Sequence, residues 1–441
     1  PAGDEAPASR SAGARAPRAA DGRSPRAGVA EAKRAGRLRP AGRLRPEDVP
    51  GRFRKTQRRA GAKLDADLAG QLEQLEAIGY LSGTRPARPE TGVHVHDRER
   101  AFFGLNFYTS GHDAEARLVD MEGELVHRWA IDYGRVWPDR ERVHQSEFFR
   151  RARLLEDGSV LVIWGGRGLA KLDRDSKLVW ANRRRIHHDI DVGPNGRYYT
   201  LDRRAHKLPR IHPRRPIVED FVVVLDPDTG RVERRVSLIE AFERAAPHHR
   251  AVMQAGDRKH GDLFHTNSIQ VLDRHRAGAI PGAGAGDVLV SMRHLNALAV
   301  VDLDARRVVW SATGDFDRQH DARVLPNGRM LLFDNSGLGR HSAVREYVPA
   351  TMRQTWIYRG TRERPFYSHT CGVAQRLPNG NTLITESDPG RAFEVTRGGD
   401  IVWELWNPHR AGEDDELIAT LFEVVRVPAA AVAGWLEGGD A

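Results

Sequence analysis

Four histidines stand near matching points of a repeated phrase, and imidazoles that recur in this way are the chain's clearest chemical signal. His188 opens "HDIDVGPNGRYYTLD", His265 opens "HTNSIQVLD", His320 opens "HDARVLPNGRMLLFDN", and His369 precedes "CGVAQRLPNGNTLITES". A single histidine is more often a hydrogen-bonded structural residue than a catalyst. Four in successive repeats would meet if the repeats were arranged around one axis. Arg293 closes "VLVSMR", the strand expected to pair with the one beginning at His265, so it joins the group. Asn267, two residues beyond His265, is expected to face the same side of its strand. His369 is less regular: it lies eleven residues before its turn glycine, Gly380, whereas His320 lies eight before Gly328. It is therefore read as a channel-lining, substrate-binding residue and not as a nucleophile.

Several imidazoles, an arginine and an amide, with no carboxylate cluster and no reactive-cysteine pattern, suit two chemistries. One is metal binding, since imidazole-rich sites hold zinc, copper or iron. None of the local spacings typical of zinc sites is present, and Arg293 would repel a cation, so no metal ligand and no cofactor is assigned. The other is transfer of an anionic group. A neutral histidine attacks a sulfuryl or phosphoryl centre, a second protonates the leaving oxygen, and an arginine fork matches a tetrahedral oxyanion. Transfer fits the set better. Two rivals stay open: a non-catalytic module that binds a partner or ligand, and a metal-dependent lyase or hydrolase.

The elements that must position these residues are short strands. From residue 93 onward they alternate with turns such as EDGS, PNGR, DTGR and PNGN, each supplying the Gly or Asn that hairpin geometry requires. A repeat of roughly 40 residues built this way predicts a four-stranded propeller blade. Six units, near 104–129, 144–180, 187–237, 265–310, 320–356 and 369–406, predict an all-β six-bladed β-propeller with a central channel. Trp129, Trp180, Trp310, Trp356 and Trp403 recur at the outer ends of units and are expected to pack between blades. The late strand "LFEVVRV" is expected to close the ring against the first blade, which removes open sheet edges. Within 238–264, "LIEAFERAA" predicts a short helix. "RHRAGAIPGAGAG" at 274–286 reads as a flexible loop, and "HPRRP" at 212–216 as an exposed insertion.

The chain has 441 residues, with 69 Lys and Arg against 60 Asp and Glu, a formal net charge of +9. Residues 1–60 alone hold sixteen basic and six acidic residues, so the rest is close to neutral at −1. The folded body therefore has no sequence-level excess of positive charge for tracking nucleic acid, and no nucleic-acid partner is expected. Residues 1–62 read as a disordered basic leader; a sharper reading gives it a weak contact with an anionic surface. Residues 63–92 read as a short Leu-rich helix and linker, and 93–441 as the propeller domain. With Cys371 as the single cysteine, no internal disulfide forms, and cytoplasm and periplasm both stay open. The chain starts at Pro1, which leaves a signal peptide open.

The phrases "HHDIDVGPNGRYYTLDR", "HTNSIQVLD…DVLVSMRHLNAL", "QHDARVLPNGRMLLFDN", "LPNGNTLITES" and "GLNFYTSGHDAEARLVDMEGELVHRW", taken as an ordered set over about 93–430, resemble the bacterial arylsulfate sulfotransferase family. The resemblance implies sulfuryl transfer from a phenolic sulfate ester to a phenol, without a nucleotide sulfate donor, through a sulfohistidine and with ping-pong order. It implies His320 as nucleophile, His265 as acid and base, Arg293 as the clamp on sulfate oxygens, and His188 as a further polar contact. Asn267 and His369 would support the substrate. Tyr108, Trp137, Phe333 and Tyr367 are candidates to hold the phenol ring. A periplasmic or secreted location comes from the same resemblance. The N-terminal β-sandwich of well-known members is not evident, so the sequence leaves the oligomeric state, a homodimer included, undecided.

Overall fold

The computed structural model describes residues 88–254, 261–339, 341–411 and 414–436, all within one compact unit, Leu44–Ala441. The leader expected over 1–62, and the helix and most of the linker expected over 63–92, lie outside the described residues.

Six antiparallel sheets form six blades in a ring, a β-propeller. Their inner strands are Leu421–Val427, Arg151–Leu154, Ile186–Val192, Thr266–Val271, His320–Val324 and Val373–Arg376, for blades one to six. The late strand does close the ring. Leu421–Val427 pairs with Leu105–Ser110 and so becomes the innermost strand of blade one. A second closure, absent from the sequence reading, comes from Gly92–His96, which adds a fifth, outermost strand to blade six through pairing with Ile401–Trp406.

The hairpins follow from local chemistry. In the three Pro-Asn-Gly turns the asparagine Oδ1 accepts from the backbone N–H two residues on: Asn195 from Arg197, Asn327 from Arg329, Asn379 from Asn381. The glycine that follows sits at positive φ, as in Gly196 at +76°. The tryptophans tie blade to blade as expected. Trp129 Nε1 donates to Gly158 O, Trp180 to Pro227 O, Trp356 to Arg397 O, and Trp403 to Met121 O, each at 2.9–3.0 Å. The Trp403 bond joins the last blade to the first. A Cβ at Gly230 would overlap the Trp180 ring, so that contact requires glycine.

The predicted helix after blade three is present as Leu238–Glu243, followed by Pro247–Gln254. The loop at 274–286 is not the flexible segment its composition suggested. Asp273 caps a helical turn, Arg274–Ala277, and Ala277 and Ile280 are buried against blades four and five. Capping and burial outweigh glycine content there. Among the described residues no helix is long and apolar enough to cross a membrane.

Candidate active site

Bulges in the inner strands aim the candidate residues. In blade three, His187 pairs with Leu201 and Ile190 with Thr200, so His188 and Asp189 are displaced from the ladder. Asn267 is displaced between Thr266 and Ser268 in blade four, and Asp321 with Ala322 between His320 and Arg323 in blade five. Bulges commonly re-aim side chains beside functional sites. His188, His265, Asp321 and Cys371 also take φ of 48–61°, a left-handed backbone that costs on the order of 1–3 kcal/mol for a residue with a side chain. Strain repeated at four inner-strand heads holds those side chains near the axis.

His188, Asn267 and His320 border one hollow with Arg150, Cys371 and Phe422. His265 stands against His188, ring centroids 5.2 Å apart. Arg293 follows strand Val288–Met292, and its backbone N–H donates to His265 O at 3.3 Å. The hollow has about 10 Å³ of free space, room for one water. A tetrahedral sulfuryl group is larger, so bordering side chains must part to admit one. In blade six the hollow is lined by Cys371 and Gly372, not by His369, whose Nδ1 lies 3.2 Å from the Tyr367 hydroxyl.

Hydrogen bonding fixes the tautomer of His320. Its Nδ1 faces two acceptors, Asn335 Oδ1 at 2.7 Å and Arg318 O at 3.0 Å, so Nδ1 carries the proton. The Asn335 amide is oriented by its Nδ2, which donates to Ser368 O at 2.8 Å and Cys371 O at 2.7 Å. Nε2 of His320 is then left with its lone pair. Burial, with the Arg293 charge next, holds the His320 pKa well below the histidine norm, so the ring stays neutral.

His265 is set in the same manner. Its Nδ1 donates to Asp262 Oδ2 at 2.6 Å, and burial lowers its pKa to about 4, although the Asp262 charge pulls the other way. His188 Nδ1 lies 2.7 Å from His187 Nδ1, so one of the pair must carry the shared proton. Burial is the largest cause keeping both rings neutral. Asn267 Nδ2 donates to Gln319 O at 2.7 Å. Arg150 places its guanidinium 3.3 Å from Cys371 Sγ and 4.8 Å above the Phe422 ring, and its charge acts on both His188 and His320.

The sequence reading missed several of these groups. Asn335 closes the phrase that His320 opens, and Asp262 lies three residues before His265; both were visible in sequence without a sign of their role. Arg150 and Phe422 come from blades two and one, outside the four phrases that the repeated histidines mark. The aromatic wall is Phe422, stacked on Phe148 at 5.3 Å. Trp137 and Phe333 are core residues instead, and Tyr108 is buried in blade one, because each faces a neighbouring sheet and not the axis.

The expectation of no carboxylate cluster is also corrected. Asp189, Asp321 and Glu423 meet Arg151 and Arg323 in a buried network at the axis. Arg151 bonds Asp189 at 2.9 Å and Glu423 at 3.0 Å; Arg323 bonds Asp189 at 2.6 Å and Asp321 at 2.9 Å. Asp189 Oδ2 also accepts from Ile269 N, and Asp321 Oδ2 from Ala374 N, so all six blades are joined. Burial pushes Glu423 up to about 7, whereas the two guanidiniums outweigh burial at Asp189 and keep it ionised.

Among the described residues, two groups have ligand atoms close enough for a metal ion, Asp262 with His265 and His294, and His112 with Glu115 and His409. In the first, His294 Nδ1 donates to Asp262 O at 2.7 Å, which leaves Nε2 of both histidines with lone pairs. In the second, Arg117 and Arg128 already hold Glu115, so its charge is committed.

The family described as arylsulfotransferase (ASST) matches residues 151–408, more than half of the chain. No curated protein matches the chain. Similar solved structures include a protein of unknown function from Bacteroides caccae, 12% identical, covering 73% of this chain and 98% of that one, TM-score 0.47. A streptogramin B lyase is 10% identical over 77% of this chain and 94% of that one, TM-score 0.42. The Cps50 β-propeller domain of Myceliophteria thermophila is 14% identical over 78% and 99%, TM-score 0.41. These three likenesses say nothing of function.

Proposed function

Because the chain belongs to the arylsulfotransferase family, we propose that it moves a sulfuryl group from a phenolic sulfate ester to a phenol through a sulfohistidine at His320. The observation that carries this reading is the His320–Asn335 pair, which leaves a neutral imidazole with its lone pair on Nε2, in the field of Arg293 and Arg150. His320 Nε2 attacks sulfur; the S–N bond forms as the bond to the aryl oxygen breaks, and the phenolate departs with the electron pair. As the anionic donor binds, the His265 ring gains basicity and takes up a proton from solvent at Nε2, and it passes that proton to the departing oxygen. The acceptor phenol then gives its proton to His265, its oxygen attacks sulfur, and the S–N bond breaks.

Arg150 and Arg293 supply positive charge for the three sulfuryl oxygens, already in place before the reaction. Asn267 commits one amide hydrogen to Gln319 O and keeps the other for a sulfuryl oxygen. His188 contributes a further polar contact. His369 stands apart from the hollow and, in this reading, meets only the outer part of the substrate. A periplasmic or secreted location belongs to the same proposal, and fractionation of the producing cells tests it.

The grouping of Asp262, His265 and His294 favours a second reading, a metal-dependent lyase or hydrolase. One experiment separates the two. Protein stripped with a chelator, and shown by elemental analysis to be metal-free, is given 4-nitrophenyl sulfate with and without phenol. Phenol-dependent nitrophenolate release that disappears in His320→Asn supports sulfuryl transfer. Release that needs added metal and ignores phenol supports the second reading.

A further inference from the structure

A larger cavity opens beside the site, and the mechanism above leaves it unused. It has a volume of about 720 Å³, and its lining holds eight arginines and three carboxylates, Asp139, Glu141 and Asp202, a net of +5; Arg140 and Arg167 also donate to backbone carbonyls there. Two of those carboxylates are already engaged: Asp139 with Arg183, and Asp202 with both Arg184 and Arg235. The local charge contrasts with the near-neutral sum of the chain beyond its first 60 residues.

Its position ties it to catalysis. Strand Ile186–Val192 carries His187 and His188, and it pairs with Tyr198–Lys207 through Leu201↔His187 and Asp202↔Ile186. Arg184 and Arg185 immediately precede the first strand, and Arg203 and Arg204 follow Asp202 in the second. The cavity therefore begins one step beyond the histidine pair. Arg203 belongs to both regions: it lines the cavity, and its charge acts on His187, His188 and Asp262. Guanidinium forks in a concave site recognise carboxylate, sulfonate or phosphate, and a volume of this size suits a substituted aromatic molecule.

We propose that this arginine cavity is a second anion site, and that the enzyme's substrates are phenols and aryl sulfates carrying a further anionic group. The inference rests on the sulfuryl-transfer reading for the identity of the reacting end. The cavity holds the anionic end while the phenolic oxygen reaches His320, and its positive field draws such substrates toward the site.

Pyranine, a hydroxypyrene bearing three sulfonates, serves as a probe because it is both a phenol and fluorescent. Its binding is followed by fluorescence anisotropy at fixed ionic strength, and its use as acceptor by the transfer assay, for the native chain and Arg185→Gln/Arg204→Gln. Loss of two guanidinium contacts is expected to weaken pyranine binding about tenfold or more. The pyranine KM should rise in parallel, with the KM for unsubstituted phenol and the thermal unfolding curve unchanged. Equal pyranine affinity in the two proteins, or equal effects on phenol and pyranine, overturns the second site while leaving transfer to phenol intact. Arginine-dependent binding without transfer from any donor instead upholds the anion site and removes the reaction it was joined to.

Discussion

Asn335 Oδ1 lies 2.7 Å from His320 Nδ1, and the two carbonyls that hold the Asn335 amide decide which nitrogen of His320 is free to react. An amide that can only accept at that point excludes the tautomer with its proton on Nε2. The nucleophile is thereby set by a neutral neighbour, without a carboxylate that would raise the ring's pKa and favour its charged form.

Asn335→Ala leaves only Arg318 O to accept from His320 Nδ1. The preference for the tautomer with its proton on Nδ1 weakens, and the buried carbonyls of Ser368 and Cys371 lose a donor. The expected result is a fall in kcat/KM of about 10–100-fold, the usual cost of losing a residue that orients a functional histidine. The fall should lie mainly in kcat, and Asn335→Gln should restore little because its amide is one methylene too long. Steady-state kinetics on 4-nitrophenyl sulfate and phenol check this, with circular dichroism to confirm folding. A change confined to KM would remove Asn335 from the role given to it.

The Asp262–His265 pair makes a prediction about pH and leaving groups. With its pKa lowered to about 4, His265 is neutral above that value and able to accept the acceptor's proton. The acceptor half-reaction should therefore speed up as pH rises through about 4 and level off well below the histidine norm of about 6.5. Asp262 raises the His265 pKa, so Asp262→Asn should move that limb to still lower pH and slow the reaction. His265→Asn should harm aryl sulfates with basic leaving phenolates far more than 4-nitrophenyl sulfate, whose phenolate leaves readily unprotonated. Equal losses across a leaving-group series would contradict a proton-transfer role.

The axial network predicts a stability effect distinct from catalysis. Asp189→Ala leaves Arg151 and Arg323 to share Asp321 and Glu423. Removing one partner from a buried ionic network typically costs about 3–5 kcal/mol. Urea unfolding should show a loss of that order, larger than for removal of an exposed pair such as Arg197–Glu233. A loss below about 1 kcal/mol, the worth of a surface pair, would mean that the network does not hold the blades together.

The propeller was legible because its signals are local. Pro-Asn-Gly turns, alternating strands and a recurring tryptophan each act within one blade or between neighbours, and their period shows in a single sequence. The first histidines of the phrases were legible for the same reason. Arg150, Phe422 and the Asp189–Arg151–Arg323 network were not, because they meet only at the axis, where six distant segments converge. The alternation rule also gave no account of how Asn267 is aimed. It assumes an unbroken ladder, and the bulge at Asn267 breaks it. His369 was placed by its phrase, yet in that blade the left-handed residue at the strand head is Cys371. The fifth strand of blade six, Gly92–His96, lacked a repeat to announce it.

The central claim is a covalent sulfuryl group on one nitrogen. The measurement that tests it most directly is mass spectrometry of the protein incubated with 4-nitrophenyl sulfate in the absence of a phenol, quenched and digested at alkaline pH to preserve an N-sulfo bond. The account predicts one sulfuryl adduct on the peptide containing His320, lost when phenol is added and absent from His320→Asn. An adduct on His188 or His265, or phenol-dependent turnover with no adduct on any residue, would contradict it.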